Sequence, residues 1–268
     1  MVGMGSTTAR RLEGLGLGRS GFEGIQKARM KMGYGNRLLL GRGDGVFAQA
    51  EYNDRVARTG WAWGCTPWDF DNDGDRDLYV ANGFLSAKSV RDYCTQYWRH
   101  DIYYQKQKSE ILMQMVFDKC QAGVGSDISW NGYEHNVLLI NTLGQEFPSV
   151  SFLMGIGFEF DSRSAVSADL DVDGRVDLLV VERVRDELVK AYVNKVHLIH
   201  NKIENNNHWI GIHLTPADLP MGATVRLQAG GKTQMLPIVS GDSYNSQHPL
   251  MAHFGLAKYP AVTDIIIK

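Results

Sequence analysis

Apolar and polar positions along this chain form a pattern that comes round twice. Asn36-Arg37-Leu38-Leu39-Leu40 is followed by Phe47, an acidic stretch from Asp69 and the apolar run Leu78-Tyr79-Val80-Ala81. Asn136-Val137-Leu138-Leu139-Ile140, Phe147, an acidic stretch from Asp169 and Leu178-Leu179-Val180-Val181 repeat it. The offset is constant, 169 − 69 = 100 residues, from Asn36 to about Phe84. Short apolar and β-branched runs bounded by turn residues read as buried strands. Each unit therefore predicts an apolar strand, a turn (Gly41–Gly45 in one copy, Leu143–Gln145 in the other), edge residues, an acidic loop and a second strand. Such units repeated radially make a propeller, whose blades recur roughly every 40–50 residues. A period of 100 then implies an insertion of about 50.

Helical spacing replaces the strand pattern between Ser86 and Ala122. Val90, Tyr93, Cys94, Tyr97 and Trp98 share one face, as do Leu112, Met115, Val116 and the stem of Lys119. Ser109 is placed to cap the second helix and Gly123 to end it. The aromatic set Tyr93, Tyr97, Trp98, Tyr103 and Tyr104 reads as a buried helix face in preference to a ligand groove. Residues 1–35 are rich in Gly and in Arg10, Arg11, Arg19, Lys27, Arg29 and Lys31, and predict a strand end, a long connection and a short helix near Ile25–Met30. Beyond Val181, Glu182–Lys190 is a charged turn and Val193–Asn201 another strand. Asn205-Asn206-Asn207-His208 is a polar break. After it, Trp209–Leu214, Ala223–Leu227 and Thr263–Ile267 predict short strands separated by Gly and Pro. The expectation is an all-β chain: a partial propeller over 1–203 with a helical insertion at about 86–125, then a small β-sandwich-like domain over 204–268. The pattern starts and stops abruptly, so the chain is expected to be the C-terminal piece of a longer protein, with the last domain truncated.

The chemistry concentrates in the two acidic stretches. Asp69, Asp71, Asp73 and Asp77, with Gly74, put carboxylates at loop positions 1, 3, 5 and 9 and Gly at 6; Asp169, Asp171, Asp173, Asp177 and Gly174 do the same. An oxygen-only, charged donor set suits a hard cation, calcium above all. Without one, carboxylates this close repel one another. Position 12 is Val80 or Val180, where an EF-hand needs a bidentate Glu. Each loop therefore leads into a strand and is not an EF-hand.

Net charge is −2, which gives no bulk electrostatic case for nucleic acid or an anionic membrane. No apolar run approaches the ~18 residues of a membrane span, and Met1–Ser6 shows no signal-peptide pattern. Cys65, Cys94 and Cys120 fit no zinc spacing; a Cys94–Cys120 bridge and free buried thiols both stay open. His197 and His200 would face opposite sides of a strand, and no HExxH accompanies them. Ser240, Asp242, Ser246, His248 and His253 are triad-type residues without a Gly-x-Ser-x-Gly elbow. Gly230-Gly231-Lys232-Thr233 reads as a hairpin turn, not a phosphate loop.

These residues carry a resemblance. The loops Asp69–Asp77 and Asp169–Asp177, with the lead Asn36–Phe47, resemble FG-GAP (VCBS, integrin-α-like) propeller repeats. Asn207-His208-Trp209-Ile210, Gly222-Ala223-Thr224-Val225, Gly241–Gln247 and His253-Phe254-Gly255-Leu256 resemble the ASPIC/UnbV domain that follows such repeats, as in cartilage acidic protein. The long helical insertion departs from the minimal repeat. The resemblance implies calcium in the acidic loops, an extracellular or periplasmic setting, and binding or adhesion to a protein or glycan. By analogy with the calcium-loop motif, the carbonyls of Asp75 and Arg175 at position 7 complete the two ligand sets. The alternative function is an extracellular enzyme or accessory domain acting on carbohydrate. It requires an acid/base pair outside the loops, and Glu134 and Glu159 stand isolated in the sequence.

Overall fold

The computed structural model describes residues 1–17, 21, 23–106, 110–142, 144, 146–215, 221–239 and 241–268, the side chains at 25, 100–106, 110 and 113 excepted. Helices are α1 (Thr7–Gly14), α2 (Glu23–Met32), α3 (Asp54–Ala57), α4 (Tyr93–Lys106) and α5 (Glu110–Gln121). Strands are β1 (Leu39–Gly41), β2 (Phe47–Gln49), β3 (Ala62–Trp68), β4 (Asp77–Asn82), β5 (Val137–Leu139), β6 (Ser162–Ala168), β7 (Asp177–Asp186), β8 (Ala191–Ile199), β9 (His208–His213), β10 (Thr224–Ala229), β11 (Lys232–Pro237), β12 (Met251–Ala257) and β13 (Asp264–Ile267). Strand outweighs helix, 38% to 16%, so the chain is mainly β. Its sheets are small: β1-β2, β3-β4-β5, β6-β7-β8, β12-β9 and β11-β10-β13, none closed among the described residues. Two compact units result. One holds Met1–Trp63, Ala81–Val137 and Gly157–Ser162; the other holds Gly64–Val80, Leu138–Ile156 and Arg163–Lys268.

The repeat seen in the sequence recurs in the backbone. β3 and β6 occupy the same seven positions 100 residues apart, and each leads through an acidic loop into β4 or β7. The Ala50 amide donates to the Leu38 carbonyl at 3.0 Å, and Val150 donates to Leu138 at 3.0 Å. Burial does not repeat. Leu39 and Leu40 of β1, expected inside, are exposed, and Phe47 is 67% exposed where Phe147 is 8%. The reason is the sheet: β1 pairs only with β2 in a two-stranded ribbon, whereas β5 is the third strand of a larger sheet.

In the first unit, α2 stands where a short helix near Ile25–Met30 was expected, while α1 forms where a strand end and connection were expected. Ser6 caps α1, its hydroxyl accepting from the Ala9 amide at 3.1 Å. Ala9 then packs with Cys94 and Trp98 of α4, and Leu12 joins them. Tyr93 and Trp98 are buried, and the Tyr93 ring meets Trp130 edge-on at 4.8 Å. Tyr93, Cys94 and Trp98 thus turn inward, as their spacing implied, whereas Val90, expected on the same face, and Leu112, Met115 and Val116 of the second helix are exposed. Ser109, the side chains of Tyr103 and Tyr104, and positions 143 and 145 of the second turn lie outside the described residues. All three cysteines are free thiols.

In the second unit, Val225, Leu227 and Ala229 project from one face of β10 by strand alternation and are buried. Phe254 and Leu256 of β12 meet them in one apolar core. Gly230 and Gly231, at φ +55° and +77°, make the tight β10–β11 turn that only left-handed residues allow. Leu227→Ala should therefore cost about 2–5 kcal/mol in urea unfolding. Met235→Ala, on β11 of the same hairpin and 62% exposed, should stay within about 0.5 kcal/mol. Equal costs would misplace this core.

Candidate metal centre

β3 ends at Trp68 and β4 opens at Asp77; β6 ends at Ala168 and β7 opens at Asp177. The eight residues between each pair fold alike because the same carboxylates take the same amides. Asp69 accepts from the Asp73 amide at 3.0 Å and from Gly74 at 2.9 Å. Asp169 accepts from Asp173 at 3.1 Å and from Gly174 at 2.9 Å. Asp73 holds the Asp75 amide and Asp173 the Arg175 amide. Asp77 accepts from Phe70 and from Asn141, both at 2.8 Å; Asp177 accepts from Leu170 at 3.2 Å and Asn201 at 2.8 Å. Backbone dihedrals match too. Asn72 and Val172 both sit at φ +60°, and Gly74 and Gly174 at +91° and +87°. Asn tolerates that left-handed conformation, while a β-branched Val adopts it at a cost.

Three groups of side chains converge to within 4.8 Å: Asp69, Asp71 and Asp77; Asp169, Asp171 and Asp173; and Asp171, Asp177 and His200. Asp73, Asp75 and Arg175 are not members of these groups. The Asp75 carboxylate keeps one buried oxygen without a partner among the described residues. The two loops differ in how their charge is balanced. In the second, the Arg175 guanidinium pairs with Asp173, and His200 lies 3.0 Å from Asp177 and 3.5 Å from Asp171. In the first, burial, with the neighbouring carboxylates adding to it, raises Asp69 and Asp75 to about 7. Burial above all raises Asp77 to about 8, and Asp71 is raised by burial and by Asp73. Asp69, Asp71 and Asp77, convergent and held above their ordinary range, form a donor set that could hold a hard cation.

The first loop is clamped by residues distant in sequence. Asn72 donates to the Gly174 carbonyl at 2.9 Å and accepts from His253 Nε2 at 2.8 Å. The Ala257 amide donates to the Asn72 carbonyl. Gly255 lies so close that a Cβ there would stand 2.1 Å from Asp69 Oδ2. Trp209 stacks on His253 at 5.7 Å and covers Gly174. Buried His253 is pushed down to about 4. It is therefore neutral near pH 7, with its proton on the nitrogen facing Asn72. Asn205 and Asn207 donate to the Asp71 carbonyl, and Asn201 to that of Phe70. His200 and His253 stand among the candidates of the sequence but not at the acidic loops, and Asn72 is not among its candidates. The polar, non-carboxylate Asn72 inside an acidic loop was the available signal.

Other candidate chemistry resolves into structural bonds. Asp242 lies 2.6 Å from His248 Nδ1, and His248 Nε2 lies 2.8 Å from the Thr66 hydroxyl, which bonds Ser167 at 2.8 Å. This resembles a triad, but Thr66 and Ser167 are fully buried. Ser240 lies outside the described residues. His197 pairs with Glu182. Glu134 accepts from the Trp61 amide and from Asn131, and Glu159 lies 3.4 Å from His135.

Strand content and paired acidic turns place the protein among mainly β, turn-rich chains. A family model described as ASPIC and UnbV matches residues 217–268, so the chain carries an ASPIC/UnbV domain there. A comparison with curated proteins finds no match.

Asn72→Ala should destabilise by about 1–3 kcal/mol for each buried partner it orphans; denaturant unfolding equal to wild type would show the clamp to be idle. A pH test follows from the raised carboxyls. Folded, they keep protons that the unfolded chain, at a carboxyl pKa of about 3.9, has already lost. Stability therefore falls as pH rises through their folded values. His253 acts oppositely, but only below about pH 6.5. In chelator, Tm should drop between about pH 6.5 and 8.5, and a rise across that window would contradict the burial of this cluster.

Proposed function

We propose that this protein is a calcium-binding, extracellular or periplasmic binding or adhesion module for a protein or glycan ligand. In this reading residues 1–203 are FG-GAP/VCBS-type propeller blades with the α4–α5 region inserted, and residues 204–268 are the β domain that contains the ASPIC/UnbV match. Asp69, Asp71, Asp73 and Asp77 would hold one ion, the first, second and last of them already convergent. Asp169, Asp171, Asp173 and Asp177 would hold a second, with the carbonyls of Asp75 and Arg175 as further oxygens. The cation would neutralise carboxylates that the fold forces together, so its work is structural: it fixes the corner between two strands.

The observation that carries the reading is the duplication of one hydrogen-bond scheme around convergent carboxylates in two loops 100 residues apart. A solvated acidic turn would not need such a scheme twice, nor the same left-handed positions. Calcium titrated into chelator-treated protein should give saturable heat by calorimetry. At a hundred-fold excess over Kd each ion should add about 2.7 kcal/mol to stability. Asp77→Asn should abolish the first site and leave the second. No heat and no Tm response to calcium would end the cation reading. On a glycan panel the expected result is binding without turnover; released products would favour the carbohydrate-enzyme alternative.

A further inference from the structure

The second unit contains a cavity of about 260 Å³ whose role the cation reading leaves open. Its walls are apolar: Leu138, Ile156, Val176, Leu178 and Ile199, with Phe70 from the first acidic loop. Met154 lies on the lining and is 42% exposed. Phe152 and Leu153, just before it, are exposed as well. The space is generous: a dry apolar cavity of about 150 Å³ already holds a benzene ring. This one has room for an aromatic ring with a short chain.

Three polar residues lie on the lining: His200, Asn201 and Lys202. Two of them are already engaged. His200 lies against Asp171 and Asp177 through its two nitrogens. The Asn201 side-chain nitrogen donates to Phe70 and Val176, and its oxygen accepts from Ile203. Lys202 has no hydrogen-bond or ion-pair partner among the described residues. The polar group left at this cavity for a ligand is therefore the cation of Lys202, an exposed residue. An ammonium offers donors and no acceptor, so it selects an anionic or strongly accepting end on whatever enters.

We infer that this cavity is a binding site for a small amphiphile with an aromatic or branched hydrocarbon body and a single carboxylate end, the body against Leu138, Val176 and Leu178 and the carboxylate on Lys202. The site is adjacent to both acidic loops through Phe70 and Val176.

The test uses the whole chain, in calcium and in chelator, with 3-phenylpropanoate, 3-phenylpropanamide and 3-phenylpropylamine as probes by calorimetry. The acid should bind at one site, about tenfold tighter than the amide, a gap of 1.4 kcal/mol by the tenfold rule, and the amine should bind weakest. Lys202→Gln should bring acid and amide to the same affinity. Met154→Trp, a change at a part-exposed position, should abolish binding of all three while the circular dichroism stays that of wild type. Should Met154→Trp fail to fold, probe-induced NMR shifts of the Met154 and Ile156 methyls in the wild type take its place, and shifts elsewhere alone overturn the assignment. No saturable binding in either buffer, or equal binding to wild type and a folded Met154→Trp, overturns the site. Equal binding of acid and amide to wild type overturns the carboxylate. A missing calcium response alongside phenylpropanoate binding would defeat the cation reading and leave this one standing.

Discussion

The bond from His253 to Asn72, and from Asn72 on to the Gly174 carbonyl, ties this unit together. One side chain joins the first acidic loop, the second acidic loop and a strand near the C-terminus. Each loop holds carboxylates that favour separation, and each is short and rich in left-handed residues, so neither would keep its shape alone. Asn72 is able to serve because its amide both donates and accepts and because Asn tolerates φ +60°. Gly255 lets β12 approach Asp69 without a side chain in the way. Trp209 covers the opposite loop through its stack on His253.

This arrangement gives a physical meaning to the residues that mark the C-terminal domain. In His253-Phe254-Gly255-Leu256, alternation sends Phe254 and Leu256 into the apolar core, while His253 and Gly255 meet the loop. One short strand thereby closes a core on one face and braces a charged turn on the other. The Gly241–His248 segment is fastened separately, by the chain from exposed Asp242 through buried His248 to Thr66 and Ser167. Its members have the chemistry of a catalytic relay, but His248, Thr66 and Ser167 have the burial of a rivet, and burial decides the outcome.

The two loops solve one electrostatic problem differently. The second meets its carboxylates with Arg175 and His200. The first lacks an Arg at the position of Arg175, where it carries Asp75 instead. It leaves a buried carboxylate oxygen unpaired. At loop position 7 the two loops thus differ in the sign of the charge they carry, Arg175 beside Asp173 in one and Asp75 in the other.

The sequence by itself determined whatever depends on neighbours within a few residues. Carboxylate spacing gave both acidic turns, apolar runs gave β4 and β7, Gly230-Gly231 gave a hairpin, and aromatic spacing gave the buried face of α4. These follow from local geometry, where side-chain direction is fixed by backbone period. Only the tertiary structure decided which strands have a covering layer, and so left Leu39, Leu40 and Phe47 exposed while Leu139 and Phe147, the counterparts of Leu39 and Phe47 in the repeat, are buried. It alone paired Asn72 with His253, 181 residues away, brought His200 to Asp177, and buried Thr66 beneath His248. Such pairings depend on how the chain returns through space. No periodicity records that, because a hydrogen bond between distant residues leaves no spacing in the sequence that joins them.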